Sequence, residues 1–246
     1  EGIATLNAED FNAPVGPPTL QIANAIWPAL QQAMTNRAEA TVVAFCERKE
    51  SKAYNVSARI DGTDPDLAPI VIMTPRSGWW RCASERGGGI AVFMELIRAL
   101  IDNPPTRDVI FTANSGHELS HLGLDLMLHE NPALAKDAAM WIHLGANFAA
   151  TSSQVRLQYS NSNVRSLSAR HLQRHNLKPD IETAIENRPL GEARNIFDQG
   201  GNFLSILGTN PLFHHPDDRW PDAVDIAKTV QWAQALTTIV LELSRE

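Results

Sequence analysis

The sequence predicts a three-layer α/β/α domain built on a mixed, mainly parallel central sheet. Strand-like and helix-like segments alternate along most of the chain, the pattern of strands joined by crossover helices. Apolar runs such as Ile70-Val71-Ile72-Met73 lack polar alternation, as in strands covered on both faces. The composition is ordinary for a globular protein, with 246 residues, 43% hydrophobic and 20% charged. A chain of this size buries roughly 70% or more of its unfolded surface, so it needs neither disulfides nor a structural metal to make a core. One domain over residues 1–246 is the expectation, with 1–36 as a lead-in and N-terminal helix. The two cysteines, Cys46 and Cys82, therefore define no compartment.

Taken in order, the elements begin with a Pro- and Gly-rich lead-in at 13–18. A helix over 22–34 follows, with Ile22, Ile26, Leu30 and Met34 at helical spacing. Residues 40–45 and 54–60 read as a hairpin around the charged turn 47–52. An Asp- and Pro-rich turn at 62–69 leads to the buried strand 70–73, where the central sheet starts. Gly87-Gly88-Gly89 opens a helix with Ile90, Phe93, Leu96, Ile97, Leu100 and Ile101 on one face, ending before Pro104. A strand at 109–112, a helix over 118–129, a strand at 140–144, a helix over 166–175 and a strand at 203–207 continue the alternation. The closing helix spans 221–243. No internal repeat or low-complexity tract is present.

Charge narrows the function classes. The net charge is −7, from 21 Lys and Arg against 28 Asp and Glu, and no basic run exists that would neutralise several phosphates. Nucleic acid is not an expected partner. No apolar stretch approaches the ~20 residues of a membrane-spanning helix, and the N-terminus has neither a basic nor an apolar leader region. The chain begins at Glu1 and has no methionine before Met34, so it reads as a mature or excised piece of a longer product, with any targeting signal not visible in it. In sheets of this kind ligands bind beyond the carboxyl ends of the strands. The segments 74–85, 114–118, 143–147 and 211–218 leave predicted strand ends and concentrate the polar and charged residues worth considering.

The wording of those segments is informative as a set. YNVSARIDGTDPDLAPIVIM from Tyr54, ERGGGIAVFMELIRAL from Glu85, RDVIFTANSGHELSHLG from Arg107 and FHHPDDRWPDAVDIA from Phe213 follow one another in this order. Together they resemble the two-zinc aminopeptidase family of leucyl aminopeptidase type, whose relatives include glutamate carboxypeptidase and glutaminyl cyclase. The second segment is similar to that family's Asp-Asn-x-Ser-Gly turn and helix, the third to its strand and Glu-Glu-x-Gly-x-x-Gly, the fourth to its Tyr-His-Thr-Pro-x-Asp. The resemblance implies a zinc-exopeptidase fold.

It also implies a site of two zinc ions about 3.5–4 Å apart, held by histidines and carboxylates, with a glutamate base for the bridging water. This chain departs from that pattern. Pro75 and Ser77 stand at the His-x-Asp positions, and Gly145 at a later Asp. Glu85 matches the bridging Asp, Glu118 a metal-binding Glu and His214 the last His, while His117 replaces the general-base Glu. Glu192-Ala193-Arg194 replaces the Ser-Asp-His that usually precedes a Phe. The resemblance thus implies at most one zinc per chain, or none, with Glu85, Glu118, His214 and His121 as candidate ligands. Such losses favour a diverged domain that binds a peptide or small amide ligand or acts as a scaffold. The alternative is a single-metal hydrolase of peptide or amide bonds using Glu118 and His214, with His117 as base. Relatives of this kind are often exported.

A second signal overlaps the first, because His117-Glu118-Leu119-Ser120-His121 spells HExxH, the helical zinc motif of metalloproteases. Its place at a helix start, directly after a strand and Gly116, argues against that reading, and no third ligand follows at the usual spacing. His121 is expected to be a hydrogen-bonded, partly buried histidine, and His129, His171 and His175 to be solvated. Trp79 and Trp80 read either as a substrate platform or as a lid over the core. Asn55-Val56-Ser57 fits the glycosylation pattern but falls on a predicted strand. Finally, Arg76 and Arg86 lie where the resemblance places cation-binding loops. One of them is expected to pair with Glu85 or Glu118 and fill an old metal position, with the tryptophans narrowing the entrance and Arg76, Trp79 and Trp80 contacting ligand.

Overall fold

A computed structural model describes residues 5–8, 11, 20–43, 45, 47 and 49–245. Seven strands make one mixed sheet: β1 (Val56–Ile60), β2 (Ile70–Pro75), β3 (Val109–Asn114), β4 (Met140–Leu144), β5 (Val155–Tyr159), β6 (Ile181–Glu182) and β7 (Phe203–Gly208). Their spatial order is β1-β3-β2-β4-β7-β5-β6. The central run β3, β2, β4, β7 is parallel, so its carboxyl ends open on one edge, while β1 and β5 run antiparallel to their neighbours β3 and β7. The helices are α1 (Trp27–Thr35), α2 (Ala83–Asp102), α3 (Leu122–Glu130), α4 (Leu134–Asp137), α5 (Ser162–Arg174), α6 (Ala193–Asp198) and α7 (Ile226–Leu243).

The β2 sequence explains the layers. Successive side chains on a strand point to opposite faces, and every β2 residue is buried. Ile70 and Ile72 enter a core with Val92, Leu96 and Leu100 of α2 and Leu236, Ile239 and Val240 of α7. Val71 and Met73 enter the opposite core with Leu124 and Leu128 of α3 and Ile196 of α6. Helices therefore cover both faces, as the sequence predicts.

Several elements differ from expectation. The described residues of 40–45 form no strand; Val42, Val43 and Phe45 are exposed, and β1 takes β3 as its partner instead of a hairpin mate. Strand preference needs a partner and a face to bury, and that segment has neither. Residues 13–18 and Cys46 lie outside the described residues. The helix at 22–34 forms as a short 3-10 turn and α1, but none of its residues is buried. Helix α2 starts at Ala83, ahead of the glycines, which serve close packing rather than initiation. A Cβ on Gly88 would lie 2.3 Å from that of Ala149, and one on Gly89 would lie 2.7 Å from Thr74 Oγ1. Helix α3 starts at Leu122 because residues 117–121 form turns, with Ser120 and His121 at positive φ. The last helix starts at Ile226, where Asp225 caps it by accepting from the Lys228 amide at 2.9 Å. Strands β5 and β6 and helices α4 and α6 were not anticipated. His171 is buried rather than solvated, lying 3.1 Å from Thr238 Oγ1 and 2.9 Å from Glu242 Oε2 of α7.

Candidate functional site

Two loops are brought together by a cap. No side chain within α2 caps its start, and Cys82 at that position has positive φ. Asp218, fully buried in the loop after β7, does so instead: its Oδ1 accepts from the Ser84 amide at 2.7 Å and the Ser84 hydroxyl at 2.6 Å, and its Oδ2 from the Glu85 amide at 3.0 Å. A carboxylate suits the positive end of a helix. The cap docks the loop carrying His214 against the turn carrying Glu85.

The charges that result are buried around one guanidinium. Arg86 Nη2 lies 2.6 Å from Glu118 Oε1 and 2.9 Å from Glu85 Oε1, and Arg86 Nε donates to the Ser77 carbonyl at 2.7 Å. Ser77 Oγ donates to Glu118 Oε2 at 2.7 Å. Burial opposes the charge on Glu118, but Arg86 and the two hydrogen bonds outweigh it and hold its carboxyl below the usual range. His214 Nε2 lies 3.2 Å from Glu85 Oε1, and its Nδ1 lies 2.8 Å from the Thr5 carbonyl. Burial alone would lower the His214 pKa; Glu85 more than compensates, so the ring titrates above its ordinary value. Glu85 and Arg86 Nη1 remain without aligned hydrogen-bond partners, which makes this a tight and strained packing of charge.

A histidine cluster adjoins it. His117 Nδ1 lies 3.1 Å from Glu192 Oε1, whose other oxygen accepts from Asn114 Nδ2 at 3.0 Å. Burial works against the Glu192 charge, yet His117 and the neighbouring rings hold its carboxyl at about 2. His121 stacks on His117 with ring centroids 4.6 Å apart, and its Nδ1 lies 2.7 Å from Asn195 Oδ1. Burial, helped by the charge of His117, pulls His121 down to about 4; burial likewise takes His143 to about 3. His143 Nδ1 lies 2.8 Å from Ser205 Oγ, while its Nε2 is buried without a partner. The three imidazoles line a cavity of about 330 Å³ together with Asn147, Arg194, Asn210 and Phe213. Burial raises the Cys82 thiol to about 11, so it stays protonated at neutral pH.

The structure gathers Glu85, Glu118, His214 and His117 at the carboxyl edge of the sheet. His121 is the expected hydrogen-bonded, buried histidine, turned to Asn195. Arg86 supplies the expected ion pair with the carboxylates. Arg76 does not: its guanidinium donates to the Tyr54 carbonyl at 2.6 Å. Trp79 is half-buried, Trp80 is 59% exposed, and neither of them nor Arg76 lines the cavity. Residues 117–121 are turns, not the helix that the HExxH reading requires. Sequence reasoning missed Glu192 as the partner of His117; the loss of a Ser-Asp-His wording was its only trace. Trp80, Cys82, Ser120, His121, Asn147 and His214 all have positive φ. Each costs a non-glycine residue about 1 kcal/mol or more, and the set surrounds the site.

Solved structures share this architecture. A zinc aminopeptidase from Bacillus subtilis, BSAP, superposes with a TM-score of 0.68 at 15% identity, over 78% of this chain and 50% of its own. The fold is shared with zinc aminopeptidases. An aminopeptidase from Aneurinibacillus sp. strain AM-1 gives a TM-score of 0.67 at 15% identity, over 78% of this chain and 48% of its own. A peptidase M28 precursor from Shewanella amazonensis gives 0.65 at 16% identity, over 81% and 46%. The chain spans about half the length of these zinc-aminopeptidase-fold structures. No protein-family model matches the sequence, and no curated protein does.

The fold makes zinc the group to test. Among the described residues no three His, Cys, Asp or Glu side chains converge to hold a metal ion. Glu85 and Glu118 are instead bridged by Arg86, whose fixed positive charge occupies the space between them. No helix of the described residues is long and apolar enough to cross a membrane.

Proposed function

We propose that this chain is a diverged, zinc-exopeptidase-like domain of leucyl aminopeptidase type that works as a binding module and not as an ordinary aminopeptidase. The observation that carries the reading is the Arg86 guanidinium, 2.6 Å and 2.9 Å from the two carboxylates that the sequence resemblance assigns to zinc. Two carboxylates in one buried cleft need a compensating cation, and a guanidinium supplies it without being lost by chelation or deprotonation. A dication would have to expel that group and then find further ligands where Pro75, Ser77 and Gly145 stand. The partner class is a peptide or small amide ligand at the carboxyl edge of the sheet.

One observation favours a hydrolytic alternative, the His117–Glu192 pair, since a buried carboxylate orients an imidazole for base catalysis. The groups that would complete it are engaged elsewhere. Ser77 Oγ donates to Glu118 and not to His117, and the Cys82 thiol is protonated. Metal analysis of protein equilibrated with zinc, run beside aminoacyl chromogenic substrates, separates the readings. The expected result is no tightly held zinc and hydrolysis at background, in wild type and in His117→Glu alike. Two tightly bound zinc ions with chelator-sensitive turnover would overturn the module reading. One zinc with turnover would establish the single-metal hydrolase using Glu118, His214 and His117.

A further inference from the structure

An amphipathic helix that packs on nothing and an apolar groove that nothing fills occur in the same chain, and they match. Ile26, Trp27, Leu30 and Met34 fall within one stripe of the helical stretch 24–35, with Gln32 and Thr35 on the opposite side, yet none of these residues is buried. A helix of this length is marginal in water and needs a surface for its apolar face. Between α2 and α7 runs a groove of about 560 Å³, with buried Val92 at its base and exposed Ala91 and Val230 at its rim. Its three threonines spend their hydroxyls on their own helix. Thr229 Oγ1 donates to the Asp225 carbonyl at 2.7 Å, Thr237 Oγ1 to the Ala233 carbonyl at 2.8 Å and Thr238 Oγ1 to the Ala235 carbonyl at 2.8 Å. What they offer a neighbour is methyl groups. The carboxylate of Glu95, also in the lining, lies 3.6 Å from Arg98. None of the groove's residues lines the cavity at the carboxyl edge of the sheet, so this surface is separate from the charged cluster.

We propose that this groove receives α1 of a second copy of the chain, each copy seating its helix in the other's groove about a two-fold axis. The lengths agree: the groove follows α7 from Thr229 to Thr238, ~14 Å, and the stripe from Ile26 to Met34 runs ~12 Å. The charges agree too, because residues 20–36 carry no Asp, Glu, Lys or Arg and the groove's carboxylate is already paired. Half the surface of such a helix, with the groove wall that covers it, comes to ~700 Å², so two symmetric contacts bury ~1,400 Å², above the ~1,000 Å² that a stable interface needs. Residues 36–55, which join α1 to β1, span up to ~66 Å when extended and reach a neighbouring molecule. The same tether would hold α1 on its own groove at an effective concentration in the millimolar range if that contact were open to it. The lone chain leaves α1 unburied, and the contact falls to a second copy.

Sedimentation velocity of the full chain from roughly 1 to 100 μM tests it, and a reversible dimer is the expected result. Met34→Glu on the helix and Val230→Glu on the groove, both at exposed positions, should each weaken dimerisation about tenfold or more, because each puts an unpaired charge into the contact. The circular dichroism spectrum should not change. Mixing the two variants in equal amounts distinguishes a helix in a groove from any other contact. The mixed pair keeps one intact helix facing one intact groove, so it should dimerise more tightly than either variant by itself. A chain that stays monomeric over that range, a dimer indifferent to either substitution, or a mixture no tighter than its components overturns the proposal.

Discussion

At the scale of single residues, the charge balance of the site turns on Arg86, which is 3% exposed and within ion-pair distance of two buried carboxylates. Removing its head group leaves Glu118 without a counter-ion and Glu85 with His214 alone. Arg86→Ala is expected to destabilise the fold by about 3–5 kcal/mol, with part recovered when Glu118→Gln is added. Urea unfolding measures both; a loss below about 0.5 kcal/mol would show that the guanidinium is not the neutralising group. Glu85, Arg86, Glu118 and His214 were legible in the sequence because each sits in a segment whose order and wording identify its place. Glu192 was not. Its contacts with His117 and Asn114 join residues 75 and 78 positions apart, and no local spacing encodes them.

Among the elements, α2 is placed by glycines that allow it to approach the sheet. The 2.3 Å distance from a Cβ on Gly88 to that of Ala149 makes a direct test. Gly88→Ala gains helix propensity of about 1 kcal/mol, yet overpacking is expected to turn the net effect into a loss of about 1–3 kcal/mol. Adding Ala149→Gly should restore most of it. Additive effects of the two substitutions in a double-mutant cycle would refute the packing role. The glycines were visible in the sequence, but as a helix start; that they lie inside α2 is decided by the Asp218 carboxylate, which caps the helix from the far end of the chain.

For the whole molecule, buried titratable groups set the response to acid. His121 and His143 are held at about 4 and 3, below their ordinary 6.5, so the unfolded chain binds protons that the folded one refuses. The stability they confer is fully present above pH ~6.5 and is lost as pH falls toward those values. Glu192, held at about 2, adds a further loss between its ordinary 4.5 and that value. His214 acts oppositely: its raised pKa contributes stability below 6.5 that fades as pH rises through its folded value. The histidine losses outweigh that gain, and unfolding free energy at pH 5 is expected to be lower than at pH 7.5 by on the order of 2–4 kcal/mol. Equal urea midpoints at the two pH values, with unchanged slopes, would contradict it.

The sequence by itself determined the alternation of strands and helices, the doubly covered sheet and the edge on which polar residues gather. Those properties follow from periodicity, which local spacing encodes. It also pointed to an arginine paired with Glu85 or Glu118, because charge type can be read position by position. Only the tertiary structure decided which arginine: Arg86 turns inward from the first turns of α2, while Arg76 is drawn to the Tyr54 carbonyl beside β1. It alone paired β1 with β3, buried His171 against α7 and assembled the cavity from residues as far apart as Asn7 and Phe213. These outcomes depend on contacts between distant segments, where burial and hydrogen-bond satisfaction outweigh local preference.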